Sequence, residues 1–115
     1  MDESAHEDDY YAGDQIKSPN LLGSLTPKAH QAYTELHQVV FKAGALSSSF
    51  KELVAVACAH NSKCPFCIDT HVHAALEAGR SKVEVAEAVW VGIEMGAGAC
   101  FGHAGLAAKI LEESP

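Results

Sequence analysis

Apolar residues recur along most of this chain at intervals of three and four positions, as in the run from Phe50 to His60. This spacing places the apolar side chains on one face of an amphipathic helix, whereas β-strands would require alternating polar and apolar positions. No stretch of useful length shows that alternation. The hydrophobic pattern therefore predicts an all-α protein.

Helix boundaries are marked by capping residues, by proline at first helical positions and by glycine at helix ends. The Asn-Ser-Lys sequence at 61–63 predicts a tight turn that folds two helices into an antiparallel hairpin. The Ala and Gly residues of the last two helices permit close helix approach, which favours a bundle or a subunit interface. The predicted helices run from Thr26-Pro27 to Ala43, from Phe50 to His60, from Pro65 to Gly79, from the Ser81–Glu84 capping box to Gly96 and Gly98, and across Ala104–Leu111.

Candidate chemistry is concentrated where the second hairpin helix begins. Cys64 is its predicted N-cap, Pro65 takes the first helical position, and Cys67 lies in the first turn. At ~100° per residue, Cys64, Cys67 and His71 fall within about 60° of one another on the helix surface. Two thiols and an imidazole at the positive end of a helix dipole favour a stabilised thiolate and dithiol redox chemistry.

Glu52 has two possible roles. Equal steps back from the turn set it opposite residue 72, so the hairpin predicts a contact between Glu52 and His71 that would orient the imidazole. The sequence Ser49-Phe-Lys-Glu52 is also a capping box, in which Glu52 would only cap the N-terminus of its own helix. The sequence leaves both roles open.

The spacing of these four residues resembles a family signature. Glu52, Cys64, Cys67 and His71 are similar to the motif of the alkyl hydroperoxidase D (AhpD)-like branch of the carboxymuconolactone decarboxylase superfamily. The flanking segments 44–47, 74–79 and 95–98 support the likeness, which covers roughly residues 20–113. The resemblance implies an all-helical fold that assembles into trimers or hexamers. It also implies a CxxC pair that reduces peroxides or other disulfides.

Roles for the individual residues also come from this resemblance. Cys67 would attack the peroxide, Cys64 would close the disulfide and exchange with a reductant, and His71 with Glu52 would relay protons. The reductant would be a lipoyl domain, a thioredoxin-like protein or a small thiol, and no further cofactor or metal is implied. Better-studied AhpD enzymes carry a histidine where this chain has Phe66. Thioredoxin-like logic would instead make Cys64 the nucleophile, so the order of attack stays open.

Length and composition predict one small domain in a reducing cytoplasm. The chain has 115 residues, 48% of them hydrophobic, and four cysteines. A CxxC pair in that compartment is more often catalytic than structural. No signal sequence and no apolar run of membrane-spanning length were recognised, since the run from Leu53 to Ala59 is only seven residues long.

Charge is concentrated near the N-terminus. Residues 1–24 hold six acidic side chains and one basic one, a net of −5 out of the chain's −7. This predicts an acidic segment over residues 1–20, followed by a helical domain over 21–115. No basic patch suggests nucleic-acid binding.

Two other classes of function are compatible with parts of this sequence. Cys64, Cys67, His71 and His73 have zinc-ligand chemistry, but four ligands along ten residues of one helix do not converge easily on a tetrahedral centre. The lyase activity for which the superfamily is named does not need a CxxC pair, so the pair favours redox chemistry over decarboxylation; a disulfide reductase without peroxidase activity is a further alternative. Four residues stay outside the predicted site: Cys58 and Cys100, expected as small buried side chains, and His60 and His103.

Overall fold

The computed structural model describes residues 19–115, and within that range every regular secondary-structure element is a helix. The all-α prediction is confirmed there. The predicted acidic segment, residues 1–20, lies almost entirely outside the described residues. The helices are α1 Pro19–Leu25, α2 Pro27–Phe41, α3 Ser48–Ser62, α4 Pro65–Glu77 and α5 Lys82–Glu113.

The chain divides at Lys51 into two compact units. In the first unit α1 packs against α2, and the Lys51 ammonium donates hydrogen bonds to the carbonyls of Val40 and Lys42 at 2.8 and 2.6 Å. The start of α3 is thereby tied to the end of α2.

The second unit, Glu52–Pro115, carries the candidate chemistry on a small core. Val56 and Ala75 are fully buried and Val85 is 8% exposed, so α3, α4 and α5 each supply one central side chain. Four partly buried side chains pack around these three: Leu53, Val72, Ala88 and Val89. This contact fixes α3 against α4 as the predicted hairpin requires.

Backbone hydrogen bonds determine the turn between α3 and α4. The Lys63 amide donates to the His60 carbonyl at 3.2 Å, and the Cys64 amide donates to the Ala59 carbonyl at 3.0 Å. Lys63 adopts a left-handed conformation with φ of 56°. These are the bonds of a Schellman motif, in which the left-handed residue is most often glycine. Cys64 therefore closes α3 and caps α4 at once.

A glycine allows α5 to approach α3 closely. A Cβ atom added at Gly92 would lie 2.5 Å from the carbonyl oxygen of Ala57, well inside van der Waals contact. Gly92 is itself buried. Ala57 follows Val56 on α3, so this approach helps to hold the helix that carries Glu52.

α5 differs from the prediction. The sequence indicated two helices separated near Gly96 and Gly98, but the structure has one helix of 32 residues. Glycine lowers helix stability by only about 1 kcal/mol, and no proline or turn signal accompanies these two residues. Other predicted ends lie within a few residues of those observed, with α2 ending at Phe41 instead of Ala43.

The continuous α5 also changes the expectation about membranes. It is a weakly apolar helix that is long enough, by length and composition alone, to cross a bilayer. No such run is evident in the sequence when this segment is divided into two helices. Several of its large apolar side chains are exposed, with Trp90 at 67%, Phe101 at 83% and Leu111 at 75%.

Candidate functional site

The two cysteines of the motif form a disulfide at the first turn of α4. Cys64 is the N-cap, with an extended backbone, and Pro65 opens the helix. The Cα atoms of Cys64 and Cys67 are 5.3 Å apart, and the Cys67 amide donates a hydrogen bond to Cys64 Sγ at 3.2 Å. Both side chains are partly buried. The predicted capping by Cys64 is confirmed, and the sulfur atom of this residue is both cap and disulfide partner.

His71 lies one helical turn beyond Cys67 and is held from the neighbouring helix. Its Nδ1 is 2.7 Å from Glu52 Oε1, and the side chains of His71 and Glu52 are only 14% and 16% exposed. A carboxylate can only accept, so Nδ1 carries the proton, and the lone pair of a neutral imidazole then resides on Nε2. The predicted Glu52–His71 contact is confirmed; its catalytic use stays a prediction.

The structure also settles whether Glu52 caps its own helix. α3 begins at Ser48, and the Ser47 hydroxyl accepts a hydrogen bond from the Phe50 amide at 3.1 Å. The Ser47 carbonyl accepts the first helical bond, from Lys51, at 3.0 Å. Ser47 is therefore the N-cap, and the capping box predicted from Ser49 to Glu52 is wrong because the helix starts earlier.

His60 and His103 each bond to a carbonyl of their own helix. Nδ1 of His60 donates to the Val56 carbonyl at 2.8 Å, and Nδ1 of His103 donates to the Ala99 carbonyl at 2.9 Å. Within residues 19–115, no group of three or more potential ligand side chains is arranged to hold a metal ion.

Cys58 and Cys100 do not behave as predicted. Both are free thiols and both are exposed, so the expectation that they are buried is wrong for this chain by itself. The residues that cover a helix face cannot be read from that helix alone. Within the second unit, neither α3 nor α5 is packed on all sides.

An open depression between the end of α3 and the first turns of α4 was not predicted. It has a volume of about 500 Å³ and is lined by His60, Lys63, Pro65, Ile68 and Asp69. Pro65 and Ile68 are three positions apart on α4, so both contribute apolar surface to one side of the helix. The spacing of these two apolar residues after Cys64 could have indicated an apolar surface at this place in the sequence.

These observations define an all-helical protein whose CxxC pair forms a disulfide beside a histidine–carboxylate pair. Residues 27–109 match the model of the carboxymuconolactone decarboxylase family. The chain belongs to that family.

Two relatives have limited descriptions. A Paracoccus denitrificans protein described as uncharacterized protein 4 in the cox locus is 45% identical over 82 residues, which are 71% of this chain and 74% of the relative. An uncharacterized protein of Cupriavidus necator is 34% identical over 77 residues, covering 67% and 68% of the two chains. Both similarities support the family without indicating a substrate.

Solved structures of similar proteins share the fold. A protein from Methanobacterium thermoautotrophicum has a TM-score of 0.70 and 30% identity, over 73% of this chain and 94% of its own. A carboxymuconolactone decarboxylase family protein from Legionella pneumophila has a TM-score of 0.71 and 27% identity, over 90% and 93% of the two chains.

Proposed function

We propose that this protein is a thiol-dependent oxidoreductase of the AhpD-like branch, which reduces hydroperoxides in the cytoplasm with the Cys64–Cys67 dithiol. The observation that carries the proposal is the disulfide at the start of α4, with the Glu52–His71 pair one turn further along. The cysteines are already close enough to pair, so a dithiol at this place can be oxidised without moving the backbone.

The oxidative half of the cycle has two steps. The Cys67 thiolate attacks the terminal oxygen of a hydroperoxide, which breaks the O–O bond, gives Cys67 sulfenic acid and releases an alkoxide that takes up a proton as alcohol. The Cys64 thiol then attacks the sulfenic sulfur and expels water, which forms the observed disulfide. Two electrons pass from the dithiol to the peroxide.

His71 and Glu52 supply the proton transfers in this proposal. The Glu52 carboxylate fixes the Nδ1 proton of His71, so the basic nitrogen Nε2 can take a thiol proton and return it to the alkoxide. Their low exposure limits competition from water for the hydrogen bond that joins them.

Membership of the family leaves lyase chemistry as an alternative. A decarboxylase would use acid–base groups and would not need to cycle a disulfide. The two functions are therefore distinguished by comparing the activity of the wild-type chain with that of a variant that lacks Cys64 and Cys67.

The proposal is tested by rapid mixing of pre-reduced protein with hydrogen peroxide or cumene hydroperoxide, followed by peptide mass spectrometry. The Cys58→Ser/Cys100→Ser background removes the two exposed thiols, so that any peroxide consumption by cysteine comes from Cys64 and Cys67. We expect fast peroxide consumption and one Cys64–Cys67 bridge. Slow consumption without a bridge would exclude the peroxidase function.

Single cysteine variants identify the nucleophile. In that background, Cys64→Ser should stop at a Cys67 sulfenic acid that dimedone traps, while Cys67→Ser should consume less than about one hundredth as much peroxide. The reverse pattern would assign the attack to Cys64.

The proposal includes assembly of the chain with copies of itself, as trimers or hexamers. Few residues of the described range are buried, and large apolar side chains of α5 are exposed to an extent unusual for a monomer in water. A second copy that presents the same helix would cover them in a symmetric interface.

A further inference from the structure

Lys63 occupies a backbone position at which a side chain is a conformational disadvantage. It is the left-handed residue of the Schellman motif that ends α3, with φ of 56°. In this conformation a Cβ atom crowds the adjacent backbone, and glycine has no such penalty. A non-glycine residue held in this region is a reason to look for a function of its side chain.

The side chain of Lys63 lines the open depression described above. The apolar part of the lining comes from Pro65 and Ile68. Among the five lining residues, Lys63 alone carries a permanent positive charge. The carboxylate of Asp69 lies 3.6 Å from His73 Nδ1, one turn further along α4 and away from the disulfide. Lys63 is therefore the source of positive charge in the depression, and both Lys63 and Pro65, which flank Cys64 in the chain, line it.

A positive charge at this point has a particular value in this protein. The chain has a formal net charge of −7, of which −5 lies in residues 1–24, so the remaining residues carry −2 and offer no general attraction for an anion. Lys63 adds a positive charge at the residue that precedes Cys64 in the chain. The depression, at about 500 Å³, has the size of a small-molecule site.

We propose that Lys63 determines which thiol reduces the Cys64–Cys67 disulfide, and that it selects a small thiol carrying a carboxylate. The carboxylate pairs with the Lys63 ammonium while the carbon chain rests on Pro65 and Ile68. This inference rests on the proposed dithiol function and specifies the reductant of that same site.

The exchange is balanced in two steps. A first thiolate attacks Cys64 Sγ, which breaks the disulfide, forms a mixed disulfide and releases Cys67 as a thiolate. A second thiol then attacks the sulfur of the bound reductant, which releases Cys64 and a small-molecule disulfide. Two thiols are oxidised by two electrons, and the Cys64–Cys67 pair is reduced by two.

The test compares three thiols of similar size and different charge: 3-mercaptopropionate, 2-mercaptoethanol and cysteamine. Rates of disulfide reduction are measured for the wild-type chain, Lys63→Asn and Lys63→Arg, all in the Cys58→Ser/Cys100→Ser background. Asparagine tolerates the left-handed conformation, so the turn is kept while the charge is lost. Each thiol is compared with itself between variants, so differences in thiol acidity cancel.

We expect Lys63→Asn to slow reduction by 3-mercaptopropionate about threefold to tenfold at low salt relative to 2-mercaptoethanol, and to favour cysteamine in relative terms. Lys63→Arg should restore the preference, and 0.5 M salt should remove it. Lys109→Asn, which removes the same charge near the far end of α5, should leave the ratio unchanged.

Two kinds of failure are distinguishable. If Lys63→Asn changes all three rates by one factor, or none of them, the selection by Lys63 is wrong while the dithiol function stands. If 2-mercaptoethanol does not open the disulfide of the wild-type chain, or the dithiol does not react with hydroperoxide, the proposed function itself is wrong.

Discussion

The α3–α4 hairpin and helix α5 differ in how far their side chains find partners within this chain. In the hairpin, the important polar groups have partners within the same short stretch: Cys64 pairs with Cys67, and His71 pairs with Glu52. In α5, a long series of apolar side chains has few partners in this chain, and Phe101 is 83% exposed. The hairpin geometry is thus fixed locally, whereas much of the apolar surface of α5 has no partner within the described residues of this chain.

This difference bears on how the proposed activity would be controlled. The site residues lie on the locally fixed hairpin, so their geometry should survive changes that weaken assembly. Global stability, in contrast, should depend on α5. Activity per folded chain and resistance to unfolding should therefore respond to different substitutions.

The largest expected effect comes from the His71–Glu52 pair. His71→Ala removes the base and should lower the rate of peroxide reduction at least about 100-fold, while Glu52→Gln should lower it about tenfold to 100-fold. Glutamine has nearly the shape of glutamate but accepts less strongly from Nδ1 and carries no charge. The measurement is the second-order rate of oxidation by cumene hydroperoxide in single turnover.

Glu77→Gln is the matched control for that pair, since it changes an exposed carboxylate at the end of α4. Its rate should equal that of the wild-type chain. Equal rates in Glu52→Gln and Glu77→Gln would show that the partly buried contact between Glu52 and His71 has no catalytic role.

The contact between α3 and α5 gives the next largest effect. Gly92→Ala would place a methyl group 2.5 Å from the Ala57 carbonyl oxygen, which α5 can relieve only by moving away from α3. Overpacking of this kind lowers the free energy of unfolding by about 1–3 kcal/mol. The control is Gly102→Ala, where a Cβ meets nothing within 4 Å.

Urea denaturation of both glycine variants measures this effect. Gly102→Ala should be neutral or slightly stabilising, because alanine is the better helix former. A loss of stability in Gly102→Ala as large as that in Gly92→Ala would mean that helix α5 itself, and not its approach to α3, is sensitive.

Substitution of an exposed apolar residue of α5 tests whether this helix mediates self-association. Phe101→Ser should weaken self-association by about 1–2 kcal/mol, or roughly fivefold to thirtyfold in the dissociation constant, because a large ring loses its burial. Lys109→Ser is the exposed polar control. Sedimentation velocity over a range of concentrations, in buffer without detergent, measures the change.

The alternative for α5 is a lipid environment. A wild-type chain that remains monomeric in buffer and binds neutral vesicles would contradict assembly and favour the membrane, for which α5 is long and apolar enough. A defined oligomer that Phe101→Ser dissociates would favour assembly.

The sequence predicted local features well where one residue has one partner close by. Cys64-Pro65 predicted the start of α4 correctly. The contact between Glu52 and His71 was also predicted, because a tight turn between two helices fixes which residues face each other. The prediction from sequence was wrong where alternative local structures have similar free energies. Ser47 and Ser49 are equally good caps in the sequence, and the glycines at 96 and 98 weaken a helix without breaking it.

Exposure was the property least accessible to sequence. Cys58 and Cys100 were expected to be buried because they lie among apolar residues, yet both are exposed in this chain. An apolar pattern identifies the face that avoids water, but it does not say whether the same chain or another copy covers that face.

The first turn of α5 resembles the hairpin, because its polar groups find hydrogen-bond partners within a few residues. The Ser81 hydroxyl accepts from the Glu84 amide at 3.1 Å, and Glu84 Oε1 accepts from the Ser81 amide at 2.8 Å, which confirms the predicted capping box. Ser81→Ala should therefore lower the free energy of unfolding by about 1 kcal/mol. It should leave self-association unchanged, since Ser81 is far from Phe101 along the helix.

The pH dependence of this cap has a definite sign. The hydrogen bond from the Ser81 amide, followed by that from Arg80, lowers the pKa of Glu84 below its ordinary value of 4.5. A lowered folded-state pKa means that the contribution of Glu84 is fully present above pH 4.5 and is lost as the pH falls through the folded-state value. Glu84→Gln keeps a side-chain acceptor but does not titrate. Urea denaturation between pH 7 and pH 3 should show the wild-type advantage over Glu84→Gln shrinking below pH 4.5, and a constant difference across that range would mean that the cap does not depend on the charge of Glu84.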